Sequence, residues 1–166
     1  MYRIVFYCPD THLTYDIRAL DERGVGGGVT SRIRMAHALA ARGHAVTAFV
    51  NCPDEGAIAG VEYRHFARLK GVRSLRLRPE TLDSDIFIAG TSGGGYDLSS
   101  LRGIRIEAKL RILMAHGVEA PGGMDCFPFD FVYAPSAFIR NIAVERWGAP
   151  PEKTFVCPRG VVSKYF

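Results

Sequence analysis

The stretch "VGGGVTSRIRMAHALAARGHAVTAFV", residues 25–50, decides the fold class because it joins a glycine cluster, a helix and a strand in one run. Its apolar residues recur at spacings of three and four, which predicts an amphipathic helix over 29–42: Val29, Ile33, Ala36 and Ala40. Gly43 is expected to end this helix. The run "AVTAFV" at 45–50 then predicts a strand that is buried on both faces.

Similar apolar runs elsewhere in the chain predict further strands, at 2–7, 61–66, 85–90, 111–116, 130–134 and 154–157. Helical stretches separate several of them. Near-continuous apolar strands that alternate with helices indicate a parallel sheet covered on both faces. We therefore expect an α/β protein with a Rossmann-like, doubly wound, mainly parallel sheet and helices on both faces.

The composition excludes several classes of protein. A net charge of +4 is well short of the dense basic stripes that bind nucleic acid, so no nucleic-acid partner is expected. Four scattered cysteines without a Cys-x-x-Cys pair indicate neither a zinc site nor a redox dithiol, and they suit a reducing cytoplasm. The first seven residues do not resemble a signal peptide, and no apolar run approaches the ~20 residues that span a bilayer. A soluble, cytoplasmic protein is the expectation.

The glycine cluster of Gly26, Gly27 and Gly28 lies where the predicted helix begins. The first N–H groups of a helix have no partner within it, and glycines let a ligand approach the backbone, so the pattern favours an anion such as phosphate. Arg32 is predicted near this positive end of the helix, where an unseen negative partner would explain it. The alternative is that the glycines only permit a tight loop and close helix–sheet packing.

Two familiar phosphate-binding motifs fit the sequence poorly. A dinucleotide fingerprint should follow the first strand directly, whereas sixteen residues separate Tyr7 from Gly24 and the spacing in "GVGGGV" fails at its last position. The next strand ends at Asn51 rather than at an acidic residue that would bind a ribose. "GTSGGGYD" at 90–97 lacks the lysine of a P-loop.

The chain resembles the amino-terminal domain of GT-B glycosyltransferases of the family 4 type over nearly its whole length. The resemblance lies in the paired glycines, "RMAHALAARGHAVTAFV", "LMAHG" and the closing "DFVYAPSAFIRNIAVERWGAPPEKTFVCPRGVVSKYF". Two features depart from that family. The loop from Cys8 to Val25 is longer than usual, and Val162 stands where the family generally has Asp.

The resemblance implies retaining transfer of a sugar from a nucleotide-sugar donor, without a metal or another cofactor, to a sugar, lipid or other hydroxyl acceptor. It implies that Gly26, Gly27, Gly28 and Arg32 lie against the donor diphosphate. It also implies that His116 is the cleft histidine beside the transferred sugar, the catalytic position. His116 ends a predicted parallel strand, where ligands of open α/β sheets bind; the alternative is a turn histidine bonded to backbone.

The resemblance also implies a second, donor-binding domain, which carries a Glu-x7-Glu motif in that family. No two glutamates here stand eight positions apart, so this chain lacks the motif. We therefore expect residues 1–157 to form a Rossmann-like acceptor-side domain and 158–166 to begin the interdomain linker. The donor-binding domain would belong to the same protein or to a partner subunit, and this chain alone would be inactive. The alternative is a single-domain sugar- or nucleotide-binding module without catalysis.

Polar residues of the long first loop, Tyr15, Asp16 and Arg18, are candidate acceptor contacts, since cleft loops commonly set specificity; loop scaffolding is the alternative. The segment "RHFARLKGVRSLRLR" at 64–78 contains six Lys or Arg and no acid. It is either a solvated face or a patch that contacts anionic membrane peripherally at the inner face, or an acidic acceptor. Ser136 is expected to cap a helix that begins near Ala137, and His37 and His44 are expected to be structural.

Overall fold

A computed structural model of the chain describes residues 1–70, 81–90, 97–124 and 128–160. Its eight strands form one sheet, in the order β3-β4-β2-β1-β5-β6-β7-β8. The strands are β1 Arg3–Tyr7, β2 Ala45–Val50, β3 Gly56–Ile58, β4 Val61–His65, β5 Thr81–Gly90, β6 Arg105–Met114, β7 Phe131–Ala134 and β8 Thr154–Val156. Each neighbouring pair is parallel except β3 with β4, so the protein is an α/β protein with a mostly parallel sheet.

All seven predicted apolar runs overlap strands, but β5 and β6 begin four and six residues earlier than predicted, at 81 and 105 rather than 85 and 111. Their first halves, "TLDSD" and "RIEAK", alternate polar residues with core residues such as Ile106, and they pair with each other beyond the ends of β1 and β7. A search for continuous apolar runs misses a strand segment that extends beyond the ends of the adjacent strands. The three-residue β3 was not predicted for a similar reason, since its Ala57 is exposed.

Three α-helices lie in the described ranges: α1 Ala19–Glu22, α2 Gly26–Ala41 and α3 Ala137–Glu145. Short 3-10 helices span Phe66–Lys70, Leu98–Gly103 and Pro151–Lys153. The predicted start of α2 at residue 29 is wrong by three residues, because the glycines form its first turn, where Gly26 has a φ of +75°. Gly43, at φ +84°, ends the helix as predicted: its N–H donates to Ala40 and that of His44 to Leu39, closing a Schellman motif.

The core forms two clusters that take alternate residues of the strands. Val5 of β1 belongs to one cluster and Ile4 to the other, as the two-residue period of a strand requires. Buried side chains of α3, Ile139 and Ala143, belong to the cluster of Val5. The cluster of Ile4 contains buried side chains of α2: Val29, Ile33 and Ala36.

Local interactions support several sequence predictions. The Ser136 hydroxyl accepts a hydrogen bond from the Ile139 N–H at 3.3 Å, so Ser136 caps α3 as expected. His37 bonds the Tyr63 hydroxyl through Nε2 at 2.8 Å, and His44 Nδ1 accepts from the Tyr2 N–H at 3.3 Å. Both histidines therefore make hydrogen bonds within the fold.

The basic segment 64–78 is only partly described, because 71–80 lie outside the described residues. Where it is described, Arg64 and Arg68 pair with Glu62 and Glu55. No helix in the described part of the chain is both long and apolar enough to cross a bilayer.

Candidate functional site

The candidate site lies at the carboxyl ends of β1 and β5, which flank the point where the chain changes direction across the sheet. β2 and β4 extend the sheet on one side of β1, and β5 to β8 extend it on the other. Ligands of open α/β sheets bind in the crevice outside such a switch point. Cys8 follows β1 directly, and Gly90 is the last residue of β5.

Gly90 is a glycine because a side chain there would collide with its neighbours. A Cβ atom on Gly90 would lie 3.0 Å from Cys8 Sγ and 3.1 Å from Arg32 Nε. The missing side chain therefore lets the Arg32 guanidinium lie across the end of β5. Burial raises the pKa of the Cys8 thiol to about 12, so this cysteine is protonated and is not a nucleophile at neutral pH.

Arg32 is among the most deeply buried side chains, with 2% of its side chain exposed. Its Nη1 donates to Asp10 Oδ2 at 2.6 Å and makes a short contact with the Tyr15 hydroxyl, which itself donates to Asp10 Oδ2 at 3.2 Å. Asp10 is thus a negative partner of Arg32 that the sequence analysis did not identify. The Arg32 atoms Nε and Nη2 are also buried, but they have no hydrogen-bond partner among the described residues.

His116 follows β6 at the same edge of the sheet, and Arg159 follows β8. Arg159 Nη2 makes a short hydrogen bond to His116 Nδ1, while a Cβ on Gly27 would lie 3.1 Å from Arg159 Nη1. One guanidinium therefore connects the first turn of α2 to the histidine. His116 Nε2 and Arg159 Nε are both buried without a hydrogen-bond partner in the described ranges.

We call Arg32, His116 and Arg159 the donor cluster. Four of their buried nitrogen atoms lack a partner, and guanidinium nitrogens only donate hydrogen bonds. Burying an unpaired donor costs about 1 to 3 kcal/mol, so such groups mark a place where an acceptor binds. Two guanidinium charges against the one carboxylate of Asp10 leave a positive excess, which favours an anion.

The environment of His116 keeps its ring neutral. Burial, followed by the charges of Arg159 and Arg32, lowers the pKa of His116 to about 3, against a weaker opposing effect of Asp10. The ring is therefore a hydrogen-bond donor and acceptor at neutral pH, and it carries no charge. The N–H groups of the first turn of α2 add further positive potential beside Gly27.

The structure brings together four of the residues that the sequence nominated: Gly27, Arg32, His116 and Tyr15. Gly26 and Gly28 share the first turn of α2 with Gly27. The Tyr15 hydroxyl lies inside the network of Arg32 and Asp10, with 1% of the residue exposed.

Asp16 and Arg18 lie apart from the donor cluster in their hydrogen bonding. The buried Asp16 carboxylate accepts from Arg18 Nη2 at 2.5 Å, and the same nitrogen lies 3.1 Å from Asp54 Oδ2. The Arg18 side chain is about half exposed, at 48%. Asp16 therefore holds Arg18 in place at the surface of the first loop.

Sequence reasoning missed Asp10, Gly90 and Arg159. Asp10 and Arg159 each stand three residues beyond the last residue of a strand, β1 and β8. A search for charged residues just past each predicted parallel strand would have found both, because these positions meet at one edge of the sheet. Gly90 was assigned to the end of the predicted strand 85–90 and to "GTSGGGYD", and nothing in its sequence context indicates the contact with Arg32.

The fold and the site together define an α/β protein with a buried group of hydrogen-bond donors at its topological switch point. No protein-family model, curated protein or solved structure matches the chain. Within the described ranges, no group of three or more His, Cys, Asp or Glu side chains is placed to hold a metal ion.

Proposed function

We propose that this chain is the acceptor-side domain of a nucleotide-sugar-dependent, retaining glycosyltransferase. In this proposal the donor cluster, with its buried hydrogen-bond donors, lies beside the diphosphate of the nucleotide sugar. The observation that carries the proposal is the set of buried, unpaired N–H donors on Arg32, His116 and Arg159 next to Gly27. A diphosphate supplies the acceptor oxygens and the negative charge that this set lacks. The resemblance to the family 4 type supplies the reaction class.

The proposed chemistry follows from where charge develops. As the bond between sugar and diphosphate breaks, negative charge grows on the leaving oxygens, and donors that are already held in position stabilise it without reorganisation. Arg32 is held by Asp10, and His116 is held by Arg159. In this proposal the N–H groups of Gly26, Gly27 and Gly28 bind the same diphosphate, and His116 lies beside the transferred sugar.

The finer fold assignment belongs to the same proposal: a doubly wound sheet with helices on both faces, as one half of a GT-B fold. It is supported by the two core clusters, one of which includes residues of α2 and the other residues of α3. The nucleotide and sugar of the donor would be bound mainly by a second domain, in the same protein or in a partner subunit.

The acceptor would bind near the first loop, at the carboxyl edge of the sheet. Arg18 is the candidate with the most exposed side chain, and its ion pair with Asp16 fixes the direction of its guanidinium. Tyr15 would act indirectly, because its hydroxyl is engaged by Arg32 and Asp10. The acceptor's class stays open between a sugar, a lipid and another hydroxyl compound.

The test is a calorimetric titration of the 166-residue chain with pyrophosphate, a panel of nucleotide sugars and the corresponding nucleosides without phosphate. We expect weak binding of pyrophosphate and nucleotide sugars, on the order of millimolar, since half a cleft leaves the contacts in a high-dielectric setting. Nucleosides should not bind measurably. A radiolabelled transfer assay on the same chain should show no turnover, because orientation between two domains supplies much of such a barrier.

A matched pair of variants sharpens the titration. Gly27→Val places a side chain against Arg159 and should abolish pyrophosphate binding, whereas Gly24→Val, where a Cβ meets nothing within 4 Å, should not change it. Equal pyrophosphate binding by both variants would indicate that the glycine turn has only a structural role. Turnover or micromolar donor binding by the 166 residues would contradict the two-domain proposal. Nucleoside binding without pyrophosphate binding would favour a nucleotide-binding module instead.

A further inference from the structure

Arg159 occupies a position that its own surroundings do not explain. Its guanidinium lies against Gly27, at the positive end of α2, where a carboxylate would be favoured and a cation is not. Among the described residues, its guanidinium donates a hydrogen bond only to a neutral histidine, and its Nε is buried without a partner there. No carboxylate in the described ranges forms an ion pair with it within 4.0 Å.

The bond to His116 determines which ring nitrogen carries the hydrogen. A guanidinium has donors and no acceptor, so His116 Nδ1 must accept from Arg159 Nη2 with its lone pair. In a neutral imidazole the hydrogen is then on Nε2. The buried, unpaired Nε2 is therefore an N–H donor, like the unpaired nitrogens of Arg32.

We propose that Arg159 is a positioning residue that fixes His116 as an Nε2–H donor toward an anionic ligand held at the first turn of α2. This inference rests on the proposed function and deepens it, because it assigns the histidine's role at the same diphosphate site. Without Arg159 the ring is free to turn or to change tautomer, and Nε2 becomes an acceptor that repels phosphate oxygens. With Arg159 in place, every unpaired nitrogen of the donor cluster is a hydrogen-bond donor.

The charged and polar groups around His116 determine how the ring titrates. Burial lowers the pKa of His116 most, Arg159 and Arg32 lower it further and Asp10 raises it, while the ring of Tyr133 meets the imidazole edge-on with centroids 6.4 Å apart. Removal of Arg159 takes away one of the two cations that disfavour protonation of the His116 ring. The pKa of His116 should then rise from about 3 toward its ordinary value of 6.5.

The experiment is long-range proton–nitrogen NMR of the imidazole nitrogens in the full 166-residue chain, at pH 8 and through a titration to pH 4. In the wild type we expect His116 as the Nε2–H tautomer and uncharged throughout the titration. In Arg159→Ala we expect loss of the single tautomer and protonation of the ring at a higher pH than in the wild type. Arg159→Lys should restore much of the tautomer preference, because an ammonium also only donates. Arg34→Ala, an exposed arginine on α2, is the control and should match the wild type.

Pyrophosphate is the probe for the second readout. We expect Arg159→Ala to weaken its binding roughly tenfold, the effect of losing one hydrogen bond to a charged group, and Arg34→Ala to leave it unchanged. Either an Nδ1–H tautomer in the wild type or an unchanged tautomer in a folded Arg159→Ala variant would overturn the inference. An unchanged pyrophosphate affinity in Arg159→Ala would overturn it as well.

The two proposals fail in different ways in this experiment. A wild-type chain that binds no pyrophosphate contradicts the diphosphate site of the proposed function. The tautomer and the titration of His116 still test Arg159 in that case, because neither readout requires a ligand.

Discussion

Charged side chains are concentrated at both ends of the sheet, but the two ends differ in how far these side chains are exposed to solvent. At the amino end, the polar halves of β5 and β6 and Arg3 line a groove of about 530 Å³. There Arg3 pairs with Asp83 at 2.7 Å, and Lys109 pairs with Asp85 at 2.9 Å. At the carboxyl end, Arg32 pairs with Asp10 at a similar distance, 2.6 Å, but further donors stay unpaired.

The difference lies in burial rather than in the number of charges. The Arg3 and Asp83 side chains are more than half exposed, so water satisfies any donor that the pair leaves over. Those of Arg32 and Asp10 are 2% and 1% exposed, so the remaining guanidinium nitrogens are shielded from bulk solvent. Charge density alone would mark both ends as sites, whereas unpaired buried nitrogens of three ionisable side chains come together at the carboxyl end; among the described residues of the amino end, the buried Ser84 hydroxyl is also without a partner.

The largest expected effect comes from removal of one carboxylate at each end. Asp10→Ala leaves the buried Arg32 charge uncompensated and should lower the free energy of unfolding by about 3 to 5 kcal/mol. Asp83→Ala removes the partner of an exposed arginine and should change the stability too little to resolve. Urea denaturation of the two variants and the wild type measures both. Similar losses in both variants would show that solvent reaches Arg32 and would remove the contrast between the two ends.

A smaller effect is expected where the backbone gives room to Arg32. Gly90→Ala places a Cβ 3.0 Å from Cys8 Sγ and 3.1 Å from Arg32 Nε, so the guanidinium must move. Such overpacking typically costs about 1 to 3 kcal/mol, and pyrophosphate binding should weaken as well. The control is Gly117→Ala, whose Cβ would meet its nearest neighbour, Glu119 N, only at 4.0 Å. A Gly90→Ala variant as stable as this control, with unchanged binding, would contradict the placement of Arg32 at the end of β5.

The smallest effect is the pH dependence that His116 contributes. Its pKa of about 3 in the folded chain lies below the ordinary 6.5, so below pH 6.5 the unfolded chain binds a proton that the folded chain does not. Stability from this group is present above pH 6.5 and should fall by about 1 to 2 kcal/mol on acidification to pH 5. Denaturation of the wild type and His116→Asn at a series of pH values should show a shallower dependence for the variant. His12→Asn, at an exposed histidine, should keep the wild-type dependence; equal slopes for wild type and His116→Asn would refute the assignment.

Much of the strand pattern was predictable from sequence because a strand buried on both faces needs apolar residues at every position. β2 is an example, since its predicted and observed bounds coincide at 45–50. The first halves of β5 and β6 were not predictable in this way, because their pairing is satisfied only by each other. The start of α2 was missed because glycine disfavours helix interiors, whereas a first turn at Gly26 accepts it.

The α/β class, the caps at Ser136 and Gly43, and the neighbourhood of the glycine turn and His116 could all be inferred before the structure was known. These depend on local chemistry: hydrophobic period, hydrogen bonds between residues a few positions apart, and the rule that parallel strands end at one edge. The buried network of Asp10, Arg32 and Tyr15, and the connection that Arg159 makes between Gly27 and His116, became visible in the folded chain alone. Residues 43 positions apart meet there, and no local pattern records which buried donor stays unpaired, because pairing depends on distances that only the folded sheet fixes.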